Sequence, residues 1–203
     1  MKIKSLKIIC LMLAVGVISY FSACSDLRLS TGSAETSDTP QSSVIDRDII
    51  LVNTYENYAW GWDSYGWYID SDGYKHEFDF SEDENIAEDD VDSMDKILDL
   101  LENGYAADNK SKGISKSKAE KYYGYLKNIK NFKFDEEYSN GFDMGETTLC
   151  GVVSDENGGR VIIPIVQYGD WDCRNTDEYA VKIAEGMGIT SEDNMYHGLF
   201  EIN

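Results

Sequence analysis

Apolar residues along the chain fall into blocks of different period, and each period names an element. Ile49-Ile50-Leu51-Val52 is an unbroken aliphatic run between Asp48 and Asn53-Thr54, the pattern of a buried, central strand. From Gly66 to Phe80 the residues alternate around Asp72-Gly73, which suits a two-residue hairpin turn. Setting Ser71 opposite Tyr74 places Ile69 against His76, Trp67 against Phe78 and Tyr65 against Phe80 on an apolar face. Asp70 and Lys75 then share the charged face, so the pattern predicts a half-buried hairpin with Trp67 and Phe78 directly opposed.

Helical spacing comes next. Val91, Met94, Ile97, Leu98 and Leu101 recur at three and four residues, with Asp92 or Ser93 to cap the start and Gly104 to end it. Ala119, Tyr122, Tyr123 and Leu126 form a second stripe behind Ser117 and Glu120, which stand at capping-box spacing. Thr147–Ser154 and Arg160–Tyr168 flank Asn157-Gly158 as a second hairpin, in which Pro164 marks an edge strand or a bulge. A third helix, capped by Asn175 or Thr176, carries Ala180, Ile183, Ala184 and Met187. Hairpins without βαβ alternation predict an α+β fold, an antiparallel sheet with about three helices packed on it.

The N-terminus follows other rules. Lys2, Lys4 and Lys7 precede a charge-free stretch, Ile8 to Ser25, whose apolar centre is shorter than the about 20 residues of a membrane span. That is the order of parts in a cleaved leader. Phe21-Ser22-Ala23-Cys24 resembles the lipobox of bacterial lipoproteins, with Phe21 where Leu is usual. The resemblance covers the leader only and implies a diacylglyceryl group, then palmitate or another acyl chain, on Cys24. It also implies anchorage at the outer face of the bacterial cell membrane. From Ser25 to Val44, 11 of 20 residues are Ser, Thr, Gly or Pro, the composition of a flexible tether. The expected division is a signal peptide over 1–23, the lipidated cysteine and tether over 24–45, and one domain over 46–203.

Charge narrows the partners. Removing residues 1–23 takes the formal charge from −20 to −23, which disfavours nucleic acid and favours a basic protein. Eight of the 14 residues from Glu82 to Asp95 are acidic, but they lack the offsets and central glycine of a calcium loop, so no metal or other cofactor is expected and the segment reads as a solvated approach to a helix N-terminus. The lysines from Lys110 to Lys133, interrupted only by Glu120, read as a wet helix face.

Candidate chemistry is sparse. Ten of the 26 residues from Tyr55 to Phe80 are aromatic; the hairpin register assigns Tyr65, Trp67, Phe78 and Phe80 to the core. It leaves Tyr58, Trp60 and Trp62, beside Gly61, as candidates to stack on a glycan or a partner's side chain. His76 and His197 belong to no motif, and His76 reads as a hydrogen-bonded packing residue. Cys150 and Cys173 are the two cysteines that remain after processing, an exported pair that reads as a candidate disulfide. No catalytic residue can be named. The chain therefore reads as a surface-anchored protein whose acidic domain binds a basic protein or a glycan. The alternative is a hydrolase acting on wall or environmental polymer with paired carboxylates.

Overall fold

The computed structural model describes residues 44–59, 61–130, 134–135, 138–139, 143 and 145–189. The leader, Cys24, the tether before Val44, Trp60 and His197 lie outside the described residues.

The fold is α+β. Strands β1 (Ile49–Asn57), β2 (Asp63–Asp70), β3 (Lys75–Asp79), β4 (Lys110–Ser111), β6 (Glu146–Ser154), β7 (Arg160–Gly169) and β8 (Trp171–Arg174) form an antiparallel sheet in the order β4-β3-β2-β1-β6-β7-β8, and β5 (Tyr138–Ser139) adds to β8. Helices α1 (Met94–Glu102), α2 (Lys116–Asn128) and α3 (Glu178–Gly186), with a single 3-10 turn at Glu88–Asp90, complete the described elements. The aliphatic run that opens β1 is buried throughout and lies at the sheet's centre.

Both faces of the sheet are covered, which corrects the half-buried hairpin. Trp67 and Ile69 of β2 join Leu51, Leu149 and Ile165 in a core beneath α2 and α3. Tyr68, Phe78 and Phe80 join Val52, Cys150 and Val152 in a second core beneath α1. Trp67 is 0% and Phe78 6% exposed, yet they point to opposite faces, because Trp67 pairs with Glu77 and Phe78 with Gly66. His76 accordingly faces Tyr68 and Tyr65 faces Asp79.

The one-residue slip has a local cause. The turn is a three-residue loop, in which Asp70 N–H donates to Tyr74 O at 3.0 Å and Gly73 N–H to Asp70 O at 2.9 Å, with Gly73 at φ +90°. Asp70 Oδ1 accepts from the N–H groups of Asp72 and Tyr74 at 3.0 and 2.8 Å, which stabilises this loop over the two-residue alternative. The second hairpin repeats it: Asp155 Oδ1 accepts from Asn157 and Gly159 at 2.8 and 2.7 Å, and Gly158 takes φ +80°. A bulge then restores alternation, since Leu149 pairs with Val166 and Cys150 with Pro164, leaving Ile165 as the extra residue. Pro164 thus marks a bulge in a strand paired on both sides.

The caps also move. Ser115, two residues before the expected Ser117, accepts from Lys118 N–H at 3.3 Å and starts α2. Asp177 accepts from Tyr179 N–H at 2.9 Å and starts α3. Asn175 instead joins strand to helix: its side-chain amide donates to Pro164 O at 3.0 Å and its carbonyl oxygen accepts from Asp177 N–H at the same distance.

Candidate functional site

Helix α1 covers only part of its face of the sheet. Beneath it, Val52 and Cys150 are cross-strand partners in the second core. Four residues along the same two strands, past the pair Thr54 and Thr148, Glu56 of β1 stands directly opposite Glu146 of β6. Side chains in one antiparallel row share a face, with Cβ atoms about 4.5–5.5 Å apart. The row continues to Ser64 of β2, which pairs with Glu56, and to Gly169 of β7, which pairs with Glu146. Ser64 is 0% exposed, and its hydroxyl has no hydrogen-bond partner.

The two glutamates form the floor of a cleft of about 370 Å3, lined also by Asn57, Tyr58, Asp143 and Asp170. No lysine or arginine lines it among the described residues. Tyr58 OH donates to Glu56 Oε2 at 3.1 Å, and Thr148 Oγ1 donates to Glu146 Oε1 at 3.2 Å. Burial pushes the Glu56 carboxyl above the usual range, and the negative charges of Glu146 and Asp92 add to this against the Tyr58 hydrogen bond. Burial also raises Glu146, assisted by the charge of Asp170 and opposed by the Thr148 hydrogen bond. Burial and the Glu56 charge raise the Tyr58 hydroxyl, so it stays a proton donor. The cleft concentrates the negative charge of Glu56 and Glu146, with no lysine or arginine among the described residues that line it.

Several acids beside α1 have basic partners. Arg160 contacts Asp95 and Asp99 at 2.8 Å and Glu102 at 3.1 Å, and Arg47 contacts Glu102 at 2.9 Å. The lysines of α2 lie on the opposite side of the sheet, where Lys118 and Lys121 stand 5.6 and 5.5 Å from the ring centres of Tyr122 and Tyr125.

Of the three aromatic candidates, Tyr58 lies in the cleft and is 48% exposed. Trp62 packs against the second core, with its indole N–H buried and without a partner. His76 is 5% exposed, stacked on Tyr68 at 4.5 Å, with Nε2 3.0 Å from Asp70 Oδ2. It packs against the hairpin, away from the cleft. Cys150 is buried in β6 and Cys173 half-buried in β8. Strand β7 lies between the strands that carry them. Burial pushes the Cys150 thiol up to about 12.

Among the described residues, no three His, Cys, Asp or Glu side chains gather as metal ligands, and no helix is long and apolar enough to cross a membrane. Sequence reasoning named neither Glu56 nor Glu146. The available signal was Glu56 and Glu146 sitting in phase with Val52 and Cys150 on two strands, but it becomes a pair only once β1 and β6 are known to be neighbours. Compared with known protein families, with curated proteins and with solved structures, the chain has no significant match.

Proposed function

We propose that this chain is a lipid-anchored protein of the bacterial cell surface whose domain captures a basic protein through the Glu56–Glu146 cleft. The observation that carries the reading is a pair of adjacent, partly buried carboxylates with no basic residue on the cleft walls among the described residues. An arriving cation relieves their mutual repulsion, and charge-assisted hydrogen bonds are about twice as strong as neutral ones. The exposed ring of Tyr58 adds a face that favours a cation. A glycan fits less well, because Trp62 is engaged in the core and only Tyr58 presents itself among the described aromatic candidates.

Titration of the protein with poly-lysine at low salt tests the capture. The double variant Glu56→Gln/Glu146→Gln should weaken binding roughly tenfold or more, and raised salt should weaken the wild type. Undiminished binding by the double variant would remove the cleft from the account. Anchorage is tested separately. Cys24→Ser removes the sulfur that accepts the diacylglyceryl group, so labelling by a palmitate analogue should vanish and the uncleaved precursor should accumulate.

A second reading, hydrolysis of wall or environmental polymer, has one observation in its favour. Two neighbouring carboxyls whose proton affinities are both raised let one act as acid while the other stays ionised. Polymer turnover that disappears in either single Gln variant would favour it over capture.

A further inference from the structure

We infer that the lysine face of α2 is a docking surface for the anionic head groups of the membrane that holds the chain, and that this contact turns the α1 side of the sheet away from the lipid. The inference rests on the anchored reading above and adds which side of the domain meets the membrane.

Charge is divided between the two sides of the sheet. Helix α2 and the two residues after it carry Lys116, Lys118, Lys121, Lys127 and Lys130, against Glu120 as the one acid of the helix. Lys118 is half-buried and the other four are exposed. Lys116 pairs with Asp72 at 2.8 Å, and Lys127 stands 3.8 Å from Asp46. Lys118 and Lys121 have no carboxylate partner among the described residues; they stand over the rings of Tyr122 and Tyr125. A ring face attracts an ammonium without consuming its three N–H donors, so both lysines can still donate to phosphate oxygens. Beside α1 the balance is reversed. Asp89, Asp90, Asp92, Asp95 and Asp99 are exposed there, and Lys96 and Arg160 are the cations that contact them.

The second observation is where the chain enters the domain. Ile45 packs against the core beneath α2 and α3, and the Asp46 carboxylate accepts from the Tyr123 hydroxyl of α2. The entry point therefore lies beside the lysine face. A flexible tether of about 20 residues spans about 25 Å on average, which keeps that face within reach of the anchoring surface and makes even a weak contact effectively intramolecular. Each lysine brought to an anionic bilayer favours the contact about fivefold, so Lys118 and Lys121 together contribute about thirtyfold. The same bilayer repels the carboxylates beside α1, and both forces select one orientation. Strand β1 runs from Ile49 near the entry point to Glu56 in the cleft, about 23 Å along the strand, so the docked domain presents its cleft at the end remote from the tether.

The test places the acylated full chain in phosphatidylcholine vesicles, with and without about one-third phosphatidylglycerol, at low salt. Lysines are modified with an amine-reactive ester, and the rate at each is read by peptide mass spectrometry. In the anionic vesicles Lys118, Lys121 and Lys130 should react at least about fivefold more slowly than in the neutral ones, while Lys96 beside α1 keeps its rate. Raised salt should abolish the difference. In Lys118→Glu/Lys121→Glu, which changes only the surface of α2, Lys130 should lose its protection. Equal rates for Lys118 and Lys121 in the two vesicles, or slowing that extends to Lys96, would overturn the inference. Slowing by soluble polyphosphate but not by anionic vesicles would also overturn it and would assign the face to an anionic polymer. The anchored reading fails differently. A chain that carries no acyl group and floats with neither vesicle removes the anchor and this inference together, whereas a floating chain with unprotected lysines removes this inference alone.

Discussion

Strands β1 and β6 each pass through two environments on the same face, and the contrast separates stability from function. Under α1, Val52 lies opposite Cys150 with Ile97, Leu98 and Phe80 around them, all buried. Four residues further on, Glu56 lies opposite Glu146, and their row faces an open cleft. One backbone ladder holds both pairs in register. The covered end gains from removing apolar area from water, at about 25 cal/mol per Å2. The uncovered end sets two like charges side by side at a cost to folding. A fold tolerates such an arrangement where the same charges are used for binding.

Replacement of core residues should therefore be costly and replacement of the cleft acids should not. Trp67→Ala should lose about 3–5 kcal/mol in denaturant unfolding, as large aromatic truncations do, because Trp67 is 0% exposed among residues of α2 and the sheet. Gly66→Ala comes next. A Cβ there would lie 2.1 Å from Asn53 O and 2.6 Å from the Phe78 ring, so backbone must shift and about 1–3 kcal/mol should be lost. If Gly66→Ala instead melts like the wild type, the close packing of Phe78 over β2 is wrong.

The cleft acids should respond in the opposite sense to pH. Both carboxyls are raised in the folded state from an ordinary 4.5, so their contribution to stability is fully present below that value and is lost as pH rises through the folded values. In that window the native state binds more protons than the unfolded chain. Glu56→Gln and Glu146→Gln should flatten the decline in melting temperature above pH 4.5, and at pH 7 each should melt at or slightly above the wild type. A marked loss of stability at pH 7 in either variant would show that the carboxylate is a structural partner.

The smallest expected effect concerns the thiols. Cys150, buried with its thiol raised to about 12, should resist alkylation until unfolding, whereas partly exposed Cys173 should react in the native state. An intact mass two units below that of the dithiol would show instead that Cys150 and Cys173 are bonded.

How much of this was legible depends on the range of the interactions. The buried run of β1, both hairpins, the three helices and the α+β class follow from periods that span a few residues. The hairpin register slipped by one because Asp72-Gly73 signals a two-residue turn, while the Asp70 carboxylate selects a three-residue loop. Asp155 and Gly158 repeat the spacing of Asp70 and Gly73, and that recurrence was the missing clue. That slip also hid the second core, since it placed Trp67 and Phe78 on one face. The cleft was harder to find. Glu56 and Glu146 meet only through the β1–β6 pairing, and 38 acids in the chain give no local reason to choose two of them.

The most direct test of the central claim measures affinity and stability on the same variant. Poly-lysine binding by calorimetry and melting temperature are compared between the wild type and Glu56→Gln/Glu146→Gln at pH 7 and low salt. The account predicts binding weaker by about tenfold or more with the melting temperature unchanged or raised. Binding of wild-type strength in a variant that melts normally would contradict it, and would place the capture of cations on the acidic surface at large.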